Sequence, residues 1–459
     1  MADPLDELAA RLSRPLRTGT GAVPHEQPWR GAPGPALAVA LPRDTAEVRT
    51  IVAWAREHRV RLLPQGAVTG LVGASTPPPD GPAPLVVSTE ALTGRLEIDA
   101  DSATAVASAG IHLSALNGAA APHGLELPVD LAADPAIGAM VATNTGGSRV
   151  LRHGAMSRWV LGAEAVIADE TVSVIGDVRA LRKDNTGPDP TRLLLGSSGA
   201  FGIITTVAVA LAPVPAQRAT ALIGPVTDTA AIALLGGLRR RLGDRLTAFE
   251  VMCPAALGAA LDHMADPPAL DPGADPAVTL LVEASGAAGT DDALVDAVAA
   301  AGPGLAEAAL LLAPARAWAV RHAITDGLRR RGTVVGFDLC VRPPDLPALR
   351  AAVRQMVADR WPGLDVADFG HWGDGGVHCN VVVPTHRALD PAGVVELRRA
   401  VYGLTVERFG GSWSAEHGIG PANADWWLRT TTPAEQAALR AFKESVDPLG
   451  ILGHPGLPF

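Results

Sequence analysis

Cysteine is scarce in this chain, with 3 residues in 459. Cys253, Cys340 and Cys379 lie far apart in the sequence, and no Cys-x-x-Cys pair occurs. An iron–sulfur cluster held by cysteine thiolates is therefore excluded. So few cysteines also argue for a reducing compartment, because disulfides persist only in oxidising ones. The cytoplasm is the expected location.

Long apolar runs and a surplus of positive charge are lacking as well. No apolar stretch approaches the roughly 18 residues that would cross a bilayer. The N-terminal segment MADPLDELAARLSRPLR carries acids, unlike a signal peptide. The 38 basic residues are outnumbered by 48 acidic ones, for a net charge of −10. Neither a membrane span nor a nucleic-acid partner is expected, because an acidic chain gains nothing from a phosphate backbone.

The chain length and the hydrophobic fraction predict a globular protein with more than one hydrophobic core. The chain has 459 residues, of which 48% are hydrophobic and 19% charged, so two or three domains are expected. Residues 36–63 predict a strand, a helix and a strand. Asp44 is the expected N-cap, and Glu47 stands at the spacing of a capping box. The apolar positions that recur on one face of this helix are Val48, Ile51, Val52 and Ala55.

Four turn-like segments of glycine and small polar residues punctuate the N-terminal half. PQGAVTGLVGAST follows a predicted strand, and ATNTGG, KDNTG and GSSGAFGIIT separate short β-like runs. Turns of this kind bring backbone N–H groups close to phosphates. Taken one by one, they are equally well explained as ordinary surface turns. Two prolines in APVPAQRAT then indicate a domain boundary, after which strands and helices alternate in a new pattern from 215 to 430.

The segment HWGDGGVHCN places two histidines around a glycine turn. A strand beginning near Val377 puts His378 and Asn380 on one face, and the turn lets His371 fold back toward His378. SWSAEHGIG offers Glu416 as a third ligand, with His417 beside it as a base. Two histidines and a carboxylate suit Zn²⁺ or another divalent ion in a catalytic role. Hydrogen-bonded histidines beside a tight turn are the alternative, which spacing alone leaves open.

The segment WAVRHAITDGLRRR adds a candidate anion-binding group. In a helix, Arg321 and Thr325 share a face, with Arg329 further along it. Arginine is the usual bidentate partner of a carboxylate. On the pattern alone, a solvated basic face is favoured over a binding site.

Eight segments together resemble one family across nearly the whole chain. In order, they are PQGAVTGLVG, VATNTGGSRVLRHG, LRKDNTG, GSSGAFGIIT, WAVRHAIT, HWGDGGVHCN, SAEHGIG and DPLGILGHPG. The chain is similar to the flavoprotein 2-hydroxy-acid dehydrogenases and oxidases of the vanillyl-alcohol-oxidase fold. Within them it resembles the branch of D-2-hydroxyglutarate and D-lactate dehydrogenases and glycolate oxidase subunits.

The resemblance implies an α+β fold with a two-part FAD-binding domain of the PCMH type over residues 1–213. A cap domain, with an antiparallel sheet flanked by helices and the metal site, is expected over 214–430. Residues 431–459 are expected to return to the FAD domain. FAD is expected to bind non-covalently, because no histidine stands in the glycine loop.

The resemblance also assigns roles to individual residues. The divalent metal, expected to be zinc, falls to His371, His378 and Glu416; His417 resembles the catalytic base; and Arg321, Thr325 and Asn380 lie at the substrate. The FAD-binding positions are Pro64, Gly66, Ala67, Val68, Thr69, Gly70, Leu71, Pro128, Asn144, Gly146, Gly147, Asn185, Thr186, Ser197, Gly199, Gly202, Ile203 and Glu416.

Two departures from the family pattern affect binding. The loop usually reads Gly-Gly-Gly-Thr-Gly, but Ala67 and Val68 replace two of its glycines, which restricts φ and adds bulk near the pyrophosphate. A lysine common on the strand after the arginine helix is Gly336 here.

The implied reaction is the metal-assisted oxidation of a 2-hydroxy acid to the 2-oxo acid, with hydride transfer to flavin N5. A small-molecule substrate, an unspecified electron acceptor and a homodimer are the expected partners. The alternatives are a flavoenzyme of the same fold acting on an unusual hydroxylated metabolite, a flavin-free metallohydrolase, and a degenerate binding protein.

Overall fold

The computed structural model describes residues 3–29, 31–269, 277–453 and 457. The chain forms two compact units. The first unit comprises Met1–Gly146, Ala155–Val214 and His417–Phe459, and the second comprises Gly147–Gly154 and Pro215–Glu416. The last of the eight family-like segments runs into residues 454–456, which lie outside the described residues.

The division differs from the expected boundaries in two places. The return to the first unit begins at His417 rather than at residue 431. Residues 147–154 belong to the second unit, because their arginines bind its sheet: Arg149 pairs with Glu283, and Arg152 donates to the backbone and hydroxyl oxygens of Ser285.

The described strands are β1 Ala38–Ala40, β2 Leu62–Gln65, β3 Leu85–Ser88, β4 Leu96–Asp99, β5 Thr104–Ser108, β6 Leu125–Glu126, β7 Val160–Val166, β8 Val174–Ile175, β9 Ile203–Ala210, β10 Ala212–Pro213, β11 Gln217–Pro225, β12 Leu246–Met252, β13 Thr279–Gly286, β14 Ala306–Leu312, β15 Gly332–Cys340, β16 Asp365–Gly370 and β17 Gly376–Pro384.

The described helices are α1 Pro4–Arg11, α2 Val23–Glu26, α3 Thr45–His58, α4 Leu113–Ala120, α5 Ile137–Thr143, α6 Val150–His153, α7 Asp228–Leu242, α8 Pro254–His263, α9 Thr290–Ala301, α10 Pro314–Arg331, α11 Leu346–Arg360, α12 Pro391–Gly403, α13 Ala424–Thr430 and α14 Pro433–Val446. None of them is long and apolar enough to cross a membrane.

The first unit contains two principal sheets. Strands β1, β3 and β2 form a parallel sheet in that order, and β4, β5, β9, β7 and β8 form an antiparallel sheet. Strands β6 and β10 add a short antiparallel pair. Two sheets with different strand directions correspond to the two α+β parts expected for the FAD-binding domain.

The second unit is built on one seven-stranded antiparallel sheet. Its order is β14-β11-β13-β12-β16-β17-β15. Helices α8 and α10 pack together so closely that a Cβ on Gly327 would lie 2.1 Å from the Ala259 carbonyl oxygen. Side chains of both helices share a core with Phe369 and Val382 of the sheet. This is the antiparallel sheet flanked by helices that the family resemblance implied.

Helix α3 has the N-cap and the buried apolar face that its sequence predicts, but not the complete capping box. Asp44 is the N-cap, and its side chain accepts a hydrogen bond of 2.9 Å from Glu47 N. The predicted apolar face is buried. The Glu47 carboxylate does not close the capping box, however, because it accepts from the backbone N–H groups of Ser13 and Arg43 instead. The hydrogen bond from Ser13 in the N-terminal segment thus takes the place of the second hydrogen bond of the capping box.

Candidate functional site

A tight turn between β16 and β17 brings the two predicted histidines together. His371 follows β16 directly, and its carbonyl oxygen accepts hydrogen bonds from the N–H groups of Asp374, Gly375 and Gly376. Gly375 has φ +102°, and a Cβ there would lie 2.0 Å from the Val341 carbonyl oxygen. Only glycine fits this position, so the glycine run serves to fold His371 back over the start of β17.

Three side-chain atoms converge at this turn. Nε2 of His371 lies 3.1 Å from Nε2 of His378. Oε1 of Glu416 lies 3.6 Å from the first nitrogen and 3.5 Å from the second. When two ligand atoms bind the same ion, each at about 2.0–2.2 Å and at tetrahedral or octahedral angles, they lie roughly 2.8–3.6 Å from each other. The three atoms therefore fit a single divalent ion.

Glu416 reaches this position because its chain segment runs beside β15. Ser412 and Cys340 exchange backbone hydrogen bonds, and Ala415 N donates to the Asp338 carbonyl oxygen. The Asp338 carboxylate then accepts a bond of 2.7 Å from Glu416 N. The backbone that leads up to the ligand, including the N–H group of Glu416 itself, is thus tied to the sheet.

Each histidine also has a buried carboxylate behind it, which the sequence analysis missed. Oε1 of Glu250 lies 2.5 Å from Nδ1 of His371, and Oδ1 of Asp338 lies 3.6 Å from Nδ1 of His378. Metal-binding histidines commonly have such partners, which set the ring orientation. The only sequence signal was a lone acid in an apolar strand, in LTAFEVM for Glu250.

The site favours a positive charge among these groups. Burial alone would lower the pKa of His371, but the charges and hydrogen bonds of Glu250 and Glu416 outweigh it and raise that pKa well above its usual value. Burial alone would raise the pKa of Glu250, yet His371 and Arg321 lower it to about 2. His371 and His378 similarly overcome burial to lower the pKa of Glu416 to about 2. A metal cation would supply the positive charge that a protonated imidazole supplies otherwise.

Arg321 lies in this cluster rather than on a solvated basic face. It is 8% exposed, donates from Nε to Oε2 of Glu250 at 2.6 Å, and stacks over the Phe369 ring at 4.5 Å. Among the described residues, this is its only side-chain hydrogen bond, so its two terminal nitrogens remain for a ligand. Thr325 lies one turn along α10 and is half-buried. Arg329 is exposed.

Asn380 lies on the same face of β17 as His378, and its side chain also forms hydrogen bonds with the backbone. It follows His378 by two residues on β17 and shares its face. Its side-chain nitrogen donates to the carbonyl oxygens of Ala367 and His378, each at 3.3 Å. His417 is half-buried and opens the last segment of the first unit.

In the first unit, three of the predicted FAD-binding turns come together around α5. A Cβ on Gly66 would lie 2.6 Å from the Ala139 Cβ, and one on Gly199 would lie 2.8 Å from Pro64. Ser198 N donates to the Ala142 carbonyl oxygen at 2.7 Å. These approaches need the small residues that the sequence provides.

Left-handed backbone occurs in the same turns. Asn144 has φ +49° as the C-cap of α5, and its side chain accepts from Ser157 N. Gly147 has φ +140° and Val68 has φ +56°. The asparagine-glycine turn thus has the positive φ that its composition predicts.

A buried glutamine, also missed from the sequence, anchors the loop that follows Pro64. Gln65 donates to the carbonyl oxygens of Ser75 at 2.6 Å and His25 at 2.9 Å. Its own oxygen lies 2.6 Å from Nδ1 of His25. One side chain therefore ties both ends of the loop to the N-terminal segment.

Other predicted FAD-binding residues are not joined to this cluster by the described contacts. Asn185 and Thr186 lie in an exposed loop, where Thr186 binds Asp184 and Arg182 donates to the carbonyl oxygens of Ser102 and Ala103. Pro128 is buried beyond β6.

Comparison with known families gives two matches that together span most of the chain. Residues 36–176 match the family described as "FAD binding domain", and residues 214–456 match "FAD linked oxidases, C-terminal domain".

Curated relatives match along most of their length. The chain is 33% identical over 443 residues to the D-2-hydroxyglutarate dehydrogenase of Xanthomonas citri pv. viticola, covering 94% of this chain and 90% of that protein. It is 34% identical over 465 residues to the mitochondrial D-2-hydroxyglutarate dehydrogenase of Bos taurus, covering 97% and 82%.

Solved structures share the fold at low identity. A 4-ethylphenol oxidase from Gulosibacter chungangensis matches with a TM-score of 0.74 and 18% identity, covering 99% of this chain and 96% of that one. A p-cresol methylhydroxylase matches with a TM-score of 0.75, 15% identity and the same coverage. The fold class expected from the sequence is confirmed.

Proposed function

The chain belongs to the FAD-linked oxidases, and from this premise we propose that it oxidises a 2-hydroxy acid to the 2-oxo acid with a divalent metal at His371, His378 and Glu416. Membership makes it an FAD-dependent oxidoreductase, as the sequence predicted. The D-2-hydroxyglutarate dehydrogenases among its relatives support the substrate class.

The observation that carries the metal proposal is the triangle of ligand atoms. Its sides of 3.1, 3.5 and 3.6 Å join two imidazole nitrogens and a carboxylate oxygen. Nitrogen and oxygen donors in this number leave positions open for a substrate, which is typical of catalytic zinc. We expect zinc, bound with FAD that is not covalently attached.

The residues of this chain bind the substrate and accept its proton, while the metal and FAD supply the remaining chemistry. When bound, the metal supplies Lewis acidity toward the substrate oxygens, and FAD supplies the acceptor of the two electrons and the C2 hydrogen. Arg321 binds a substrate carboxylate through its terminal nitrogens, with Thr325 and Asn380 beside it. His417 accepts the proton of the substrate hydroxyl, as the imidazole of a histidine general base does in many enzymes.

The first test asks whether FAD and metal are both required. Acid denaturation of purified protein should release FAD into the supernatant, and a screen of 2-hydroxy acids with an artificial electron acceptor should find turnover. Exhaustive chelation should abolish that turnover, and Zn²⁺ should restore it. A colourless native protein would contradict the FAD assignment, whereas full activity after chelation would contradict a catalytic metal.

The second test addresses the base. His417→Gln should retain zinc and FAD but reduce flavin with substrate about 10²–10⁴-fold more slowly, the usual cost of losing a general base. Stopped-flow absorbance of the flavin measures this step without the electron acceptor. Near-normal reduction would assign the proton to another group.

The family match also separates the alternatives. A flavin-free metallohydrolase has no use for an FAD-binding domain, and residues 36–176 match one. A flavoenzyme acting on another hydroxylated metabolite remains the second candidate, favoured by Gly336 in place of the usual lysine.

A further inference from the structure

Glu250 is a fully buried carboxylate in the middle of β12 that contacts two residues of the site. Its Oε1 lies 2.5 Å from Nδ1 of His371, and its Oε2 accepts a bond of 2.6 Å from Nε of Arg321. One side chain thus links a proposed metal ligand to the proposed carboxylate-binding arginine.

These two contacts together require a carboxylate. Nε of Arg321 can only donate a hydrogen bond. Nδ1 of His371 must donate as well, if Nε2 is to keep its lone pair for a metal. A glutamine has only one acceptor oxygen, so its amide nitrogen would face one of these donors. A carboxylate in this position can accept from both groups at the same time.

We propose that Glu250 is a positioning residue, which holds Nε2 of His371 toward the metal and the Nε edge of Arg321 away from the substrate. This inference rests on the proposed metal site. Removal of such a partner from a metal-binding histidine typically weakens metal binding by about 10–100-fold.

The neighbouring strand provides a matched control. Glu283 on β13 is also fully buried, pairs with Nε of Arg149 at 2.7 Å and accepts from the Trp318 indole at 2.7 Å. Its strand lies next to β12, but its hydrogen bonds reach none of the three proposed ligands. Loss of its charge reports the general cost of disturbing a buried ion pair in this sheet.

The experiment measures Zn²⁺ affinity rather than turnover. The full chain is stripped of metal by chelation and titrated with Zn²⁺ in competition with a chromophoric chelator. Glu250→Gln should bind Zn²⁺ about 10–100-fold more weakly than wild type. Glu283→Gln should bind with nearly wild-type affinity, although both variants lower the melting temperature.

The outcomes separate this inference from the proposed function. If wild type binds Zn²⁺ and Glu250→Gln binds it equally well, or if both variants lose affinity alike, the positioning role is wrong and the metal site stands. If wild type binds no Zn²⁺, both are wrong.

A second measurement does not depend on the variant folding. With ¹⁵N-labelled histidine in the wild-type protein, NMR distinguishes the two ring nitrogens of His371 when Zn²⁺ is bound. We expect the proton on Nδ1 and the metal on Nε2. Metal binding through Nδ1, or a proton on Nε2, would overturn the proposal.

Discussion

Val68 has a backbone conformation that β-branched residues seldom adopt. Its φ is +56°, within the loop that follows Pro64. The left-handed region costs an L-residue roughly 1–2 kcal/mol, and glycine avoids that cost. The family pattern has glycine at this position, so this chain carries backbone strain where a glycine would carry none.

Replacing this valine therefore tests the strain directly. Val68→Gly should leave the free energy of unfolding unchanged or raise it by up to about 1 kcal/mol, because released strain offsets the greater freedom of glycine in the unfolded chain. The control is Ala67→Gly, at a position without positive φ, which should lower it by about 0.4–1 kcal/mol. Urea unfolding measures both. Equal destabilisation by the two variants would show that Val68 is not strained.

At the scale of elements, strands β15 and β17 fix what surrounds the substrate position. Their register pairs Gly336 with Asn380 and Asp338 with His378. Residues 336 and 338 share a face, since side chains alternate along a strand. Gly336, where the family pattern has lysine, therefore lies on the face of the sheet that carries the proposed site.

This register makes a prediction about specificity. A carboxylate without its charged partner loses about 1.5–3 kcal/mol, or roughly ten- to a hundredfold in affinity. We therefore expect wild type to oxidise D-2-hydroxyglutarate poorly and to prefer a bulkier or less acidic side chain. Gly336→Lys should raise kcat/KM for D-2-hydroxyglutarate, whereas Thr333→Lys, on the opposite face, should not. A strong preference of wild type for D-2-hydroxyglutarate would contradict this.

Helix α14 is anchored by a buried lysine. Nζ of Lys443 donates to Ala200 O at 2.8 Å, to Oδ2 of Asp447 at 2.7 Å and to Leu452 O. Ala200 directly follows the Ser197–Gly199 turn, so one ammonium group connects the C-terminal segment to a predicted FAD-binding turn.

Removal of that lysine should therefore destabilise the first unit. Lys443→Met leaves Asp447 buried without its cation, which costs about 3–5 kcal/mol. We also expect less FAD per protein after purification, measured by flavin absorbance alongside the melting temperature. Arg440→Met, at an exposed position of the same helix, is the control. If both variants behave like wild type, the anchor contributes little.

At the scale of the whole molecule, the two groups of binding residues belong to different units. The turns around α5 lie in the first unit apart from Gly147, and His371, His378 and Glu416 lie in the second. Each group is held by contacts within its own unit. A substitution that disrupts FAD binding should therefore leave metal binding unchanged, and the reverse should also hold.

Paired variants test this separation. His378→Gln should lose Zn²⁺ but retain FAD. Gly66→Ala should lose FAD but retain Zn²⁺, because its Cβ would lie 2.6 Å from the Ala139 Cβ. Gly94→Ala, in the same unit but outside the predicted FAD-binding positions, adds a Cβ that would meet nothing within 4 Å and should retain both. Metal analysis and flavin absorbance of the same preparations give both readings. Simultaneous loss of both groups in either variant would show that the two sites depend on each other.

Much of this protein could be predicted from local sequence patterns. The N-cap and apolar face of α3 depend on neighbouring residues, as does the strand that presents His378 and Asn380. The turn that folds His371 back depends on Gly375, which stands four residues away. Signals of this kind lie within a few residues of one another, so they remain legible without the fold.

Only the tertiary structure decided which distant side chains complete the site. Glu250 is 121 residues from the His371 ring that it contacts, and Glu47 binds Ser13 rather than its own N-cap. The sequence pattern alone favours a solvated basic face for Arg321, but in the fold its guanidinium binds the buried Glu250 carboxylate. Burial makes these partners obligatory, because a charge removed from water must find a counter-charge, and the chain's packing alone determines which one it meets.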